Sequence, residues 1–152
     1  MPSQTVTRSL NRINFTGRLN AEAVPLLLEA MRAAEFTGFE DFDLDFSQCS
    51  QAYPNGTVPL AALADAWRSQ GFDFELILPA DASIARLFEN TGLAHFIAPG
   101  KHGPTTFHSA KHIPIQRFQN HTEQVALVYS FGSPLFSVEP HNWGKRSLPA
   151  TK

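Results

Sequence analysis

What this 152-residue sequence has little of limits it first: one cysteine, two methionines, two tryptophans and two tyrosines, against thirteen phenylalanines. Cys49 alone excludes an internal disulfide, and no basic start followed by an apolar run of signal-peptide length stands near Met1, so a cytoplasmic home is expected. No stretch approaches the roughly 20 apolar residues that span a bilayer, and there is no internal repeat or heptad run. Charge is scarce as well. A formal net charge of −2 and a pI near 6.3 supply no basic stripe for a phosphate backbone, so nucleic acid is not expected as the main partner. Ser-His-Asp order, P-loop, dinucleotide fingerprint and HExxH are all missing, and nothing points to an enzyme.

The hydrophobic content is 43%, enough for one domain with a real core and an extension. Short alternating runs take turns with longer segments of helical spacing, the pattern of an α/β sheet crossed by amphipathic helices. "RINFTGRL" (Arg12 to Leu19) reads as a strand. Val24, Leu27, Leu28 and Met31 then fall at i, i+3, i+4 and i+7, a helix with Pro25 in its first turn. "FDLDF" (Phe42 to Phe46) alternates strictly, and "SQCSQAYPNG" reads as a loop. Leu60, Leu63, Ala64 and Trp67 make a second helix that Gly71 closes. "FDFELILP" alternates again, Ser83 is placed to cap a third helix that ends at Gly92, and "LAHFI" (Leu93 to Ile97) reads as a short last strand.

"APGKHGP" (Ala98 to Pro104) has the proline, glycine and charge of a linker, which divides the chain into a domain at 1–100 and a C-terminal extension at 101–152. "KHIPIQRF" reads as extended and "NHTEQVALV" as the start of a helix. Beyond Tyr129 periodicity is lost, the mark of a partly disordered or docking arm.

The order of elements from Leu44 to Ile97, the Gly56-bearing turn ahead of a helix, and the ending "ARLFENTGLAHFI" together resemble the STAS domain, found in bacterial anti-sigma factor antagonists and in the tails of sulfate transporters. The resemblance spans Arg12 to Ile97. It implies a central mixed β-sheet crossed by amphipathic helices, a regulatory rather than catalytic role, no cofactor, and a protein partner of the anti-sigma, histidine-kinase-type ATPase class. In that family the residue before the glycine is a serine that the kinase phosphorylates; Asn55 occupies that switch-equivalent place here. A carboxamide has no hydroxyl to accept a phosphoryl group and no charge to imitate one. Tyr53, Asn55, Gly56, Thr57 and Val58 are therefore the expected partner-binding residues, with the switch absent. A second resemblance, carried by "YPNG" and "HIPIQRFQNHTEQVALV", is to STAS-like domains that precede a histidine-kinase-type ATPase. The Asn-bearing helix and glycine-rich lid of such an ATPase are not in this sequence, so the alternative is a sensor half with Ile113 to Val128 as docking arm.

Several residues support competing readings. "PNG" reads as a turn and cap, with Asn55 or Thr57 as the capping residue, or as a partner-facing surface anchored by Tyr53. The bare helix start also suits an anion or small ligand. Asp43, Asp45, Asp73 and Glu75 alternate along two strands; a solvated sheet face is favoured over a cation site, with Asp45 expected beside the Asn55 turn. His102, His108 and His112 match no zinc spacing and read as solvated loop histidines. Cys49 lacks a basic neighbour that would make it a nucleophile. No metal site is expected. An uncovered sheet face would leave an edge able to pair two copies as a homodimer.

Overall fold

The computed structural model describes residues 3–105, 114–117, 120 and 122. The chain forms two units, Met1–Ile115 and Gln116–Lys152, and the elements below all belong to the first. That unit runs past the linker read at Ala98 to Pro104. Pro114 is buried, Ile115 packs on the core, and the Ile115 N–H donates to Thr91 O at 2.7 Å, which anchors the chain to the main body after the linker.

Eight elements follow in order: β1 (Thr5–Ser9), β2 (Arg12–Leu19), α1 (Ala23–Phe36), β3 (Asp41–Ala52), α2 (Pro54–Ser69), β4 (Asp73–Ile77), α3 (Ala82–Asn90) and α4 (Leu93–Ile97). The strands form one sheet in the order β1-β2-β3-β4. β1 and β2 are an antiparallel hairpin, while β2–β3 and β3–β4 are parallel pairs joined through α1 and α2, so the expected mixed sheet with amphipathic helices is present. Leu10 opens the two-residue hairpin loop with φ +56°, a conformation that costs a leucine steric strain, and it is 70% exposed.

Alternation decides which sheet face is covered. Ile13 and Phe15, Phe42, Leu44 and Phe46, and Phe74 and Leu76 are buried toward the helices. Against them lie Leu27, Met31, Leu60, Ala64, Phe88 and Ile97. The phenylalanines account for much of this packing, because β3 carries ring contacts in two directions. Phe46 meets Phe15 at 5.4 Å and Phe88 at 5.3 Å between centroids, and Phe42 meets Trp67 and Phe74, both at 5.5 Å.

Three local expectations change in the folded chain. β3 does not stop at Phe46. It continues through Ala52, because register shifts between Asn14 and Thr16 and between Gly17 and Arg18 place extra β3 residues opposite β2, which erases the alternation on which a sequence reading depends. "LAHFI" is the short helix α4 rather than a strand: Leu93, Ala94 and Ile97 are buried at helical spacing, and Phe96 and Ala98 donate back to Gly92 O and Ala94 O. Ser83 is not the cap of α3. Asp81 is, with its carboxylate accepting from the N–H groups of Ser83 and Ile84 and from the Ser83 hydroxyl.

Among the described residues, no helix is long and apolar enough to cross a membrane.

Candidate functional site

The turn at the head of α2 is built from the end of β3. Tyr53 is the N-cap in extended conformation (φ −123°, ψ 152°), and its N–H donates to Leu19 O at 2.9 Å, tying the helix start to the end of β2. Pro54 takes the first helical position, where a missing N–H costs nothing and a fixed φ is already helical. Asn55 and Thr57 are therefore not caps: both lie inside the helix, which starts about two or three residues earlier than the sequence suggests.

Gly56 explains the sequence of this turn better than a capping role does. A Cβ there would stand 2.6 Å from the carbonyl carbon and oxygen of Leu19 and 2.7 Å from Asn20 N, all backbone atoms. Only glycine lets the helix approach the end of β2 so closely. Gly56 is thus a packing contact inside a helix, and the Asn-Gly pair is not a free turn.

This packing sorts the expected partner-binding residues into two groups. Gly56 and Thr57 face inward, Thr57 at 4% exposure, so the threonine hydroxyl is not a surface group. Tyr53 (40% exposed), Pro54, Asn55, Val58 (49%) and Pro59 face solvent and form an aromatic and aliphatic ridge with one carboxamide. The Tyr53 hydroxyl donates to Gln51 Oε1, which steadies the ring.

The same geometry weakens the anion reading. Pro54 has no N–H, and the N–H groups of Gly56 and Thr57 both donate to Tyr53 O at 2.9 Å. Among the described residues that leaves Asn55 alone with an unspent N–H in the turn, too few donors to cradle a phosphate. Asp45 adds nothing there: it lies in mid-strand opposite Ile77, its carboxylate accepts from Ser47 N–H at 2.9 Å, and the rest of β3 separates it from Asn55.

The other candidate residues are dispersed. Asp43 and Glu75 are ladder neighbours on the sheet face away from the helices. Asp43 lies 3.8 Å from Arg12 Nε, and Glu75 accepts from the Lys101 ammonium. Among the described residues no three His, Cys, Asp or Glu side chains converge on a metal position. The His102 carbonyl lies 2.8 Å from His95 Nδ1, and His108 and His112 lie outside the described residues, as does most of the arm from Ile113 to Val128. Cys49 is buried beside Gly17. Desolvation pushes its thiol up to about 11, against weaker lowering by hydrogen bonds to Gln51 and Leu19, which removes it as a nucleophile near neutral pH.

No known protein-family profile matches the chain, and no curated protein does. Among solved structures, the chain is similar to one described as the anti-sigma factor antagonist SpoIIAA in its unphosphorylated form. The two share 13% identity with a TM-score of 0.42, over 84% of this chain and 98% of that one, a likeness too distant to carry any residue's role across.

Proposed function

We propose that this protein is a non-enzymatic, cytoplasmic, STAS-like regulatory module that binds a protein partner through the exposed side of the α2 head, with Tyr53 and Val58 as anchors. The observation that carries this reading is the ridge itself: an aromatic, a valine and two prolines exposed together at a helix start whose inward side is locked to the end of β2. Monomer surfaces scatter single apolar residues, but a cluster of this kind on a rigid element suits an interface core. The STAS resemblance puts the family's partner-facing turn at the same residues and suggests an anti-sigma or histidine-kinase-type ATPase as the partner.

Regulation by phosphorylation of the turn is absent in this reading. Asn55 has no phosphorylatable group, and the nearest aliphatic hydroxyl, Thr57, is turned inward. Affinity rests on Tyr53, Asn55 and Val58, with Gly56 and Thr57 holding the helix in place.

The test uses wild type and a Tyr53→Ala, Val58→Asp double variant as paired baits in the source cell's lysate, followed by calorimetry of the purified captured protein with both forms. An ATPase-type partner that binds wild type at least about a hundredfold more tightly, as truncation of two interface anchors produces, supports the reading. Equal binding by both forms refutes it. Intact mass spectrometry after incubation with that ATPase and ATP is expected to show no added phosphate.

A further inference from the structure

Among the described residues, β4 is the last strand of the sheet, and the side of it turned away from β3 is unpaired. The Asp73 N–H donates to Glu40 O, beside its ladder partner Asp41, so Asp73, Glu75 and Ile77 direct their backbone groups toward β3. Backbone direction alternates along a strand. Phe74 and Leu76 therefore point their N–H and C=O groups outward, and no described residue bonds them. Beside this edge runs a groove of about 410 Å³ lined by Arg68, Phe74, Glu75, Pro99, Gly100 and Lys101. Five residues in unbroken register, without proline or bulge, make β4 a usable template for another strand.

Charge and alternation state what would fit it. On the sheet face away from the helices, β3 and β4 present Asp41, Asp43, Asp45, Asp73 and Glu75 in adjacent register positions. Arg12 meets Asp43, and the Lys101 ammonium already meets Glu75 from the side where a next strand would lie. On the other face the groove is floored by the buried side chains of Phe74 and Ile97. A strand added here would place alternate side chains opposite acids and apolar walls.

We propose that the free edge of β4 is a docking site for an extended segment of a partner protein in which basic and apolar residues alternate, added to the sheet as a fifth strand. Main-chain bonds to Phe74 and Leu76 supply affinity, the acidic row selects basic side chains, and Lys101 is displaced from Glu75. This surface is separate from the α2 head and does not depend on the partner read there.

The experiment follows residue-resolved amide hydrogen exchange in the full chain, with and without a blocked hexapeptide of alternating lysine and valine, and with a glutamate–valine peptide as control. In the free chain the Phe74 and Leu76 amides exchange fast; the lysine peptide slows them at least about tenfold and the control does not. Glu75→Gln weakens lysine-peptide binding about fivefold, the worth of one favourable cross-strand charge pair. Gly100→Phe adds bulk to the groove lining at a position where a Cβ meets nothing within 4 Å, and it weakens lysine-peptide binding. Protection already present in the free chain overturns the proposal: if it is independent of dilution the edge belongs to the chain's own C-terminal residues, and if it fades on dilution, to a second copy. Equal binding of both peptides overturns it too.

Discussion

Replacing Gly56 with alanine tests the close approach on which the α2 head depends. The added Cβ begins 2.6 Å from Leu19 C and O, and ordinary contact starts near 3.4 Å, so the helix and the end of β2 must separate by about 0.8 Å. No rotamer relieves the contact, because the opposing atoms are backbone. Overpacking of this kind costs about 1–3 kcal/mol, and a rigid obstacle argues for the upper part of that range. The higher helix propensity of alanine returns about 1 kcal/mol. The net is a loss of about 2 kcal/mol, which also strains the Tyr53 N–H bond to Leu19 O. In urea, with a slope of about 1–3 kcal/mol/M, the midpoint should fall by roughly 1 M at unchanged slope. Far-ultraviolet circular dichroism reports it, and Trp67 on the buried side of α2 provides a fluorescence probe of the same transition. Asn55→Ala, next to it but exposed, should change stability by no more than about 0.5 kcal/mol. A midpoint for Gly56→Ala that is unchanged or raised would mean that helix propensity alone governs the position, and the packing argument would be refuted.

Two further outcomes follow from local geometry. Leu10→Asn should stabilise the protein by about 0.5–1 kcal/mol, because asparagine tolerates the positive φ that leucine adopts in the β1–β2 loop; a lower thermal midpoint would show that the exposed leucine makes contacts that matter. Asp81→Ala should destabilise α3 at neutral pH. The Asp81 carboxyl is held below its ordinary 3.8, first by the Ser83 hydroxyl and then by the Ser83 and Ile84 N–H groups. Its contribution is therefore fully present above that ordinary value and is lost as pH falls through the lower folded one. Wild type and variant should differ in urea midpoint at pH 7 and converge as pH is lowered below 3.8; a difference that stays constant on acidification would show that the charged carboxylate is not what caps the helix.

The parts legible in the sequence were those with a short-range physical cause. Period-two alternation at Phe42, Leu44 and Phe46 and at Phe74 and Leu76 specifies buried strand faces, and the i, i+3, i+4, i+7 spacings specify α1, α2 and α3. Gly71 and Gly92 close two helices at positive φ. The exposed candidate residues Tyr53, Asn55 and Val58 could be named from the same short stretch. What the sequence could not show involves atoms far apart along the chain. The continuation of β3 to Ala52 depends on bulged pairing with β2, and a bulge destroys the periodicity that would announce it. The inward role of Gly56 is set by Leu19 and Asn20 on another element, and the burial of Thr57 follows from that contact. The β4 edge, left unpaired among the described residues, is a property of strand order alone. Local propensity therefore determined which segments are helix or strand, and only tertiary packing decided which side chains at the α2 head face solvent and which meet the core.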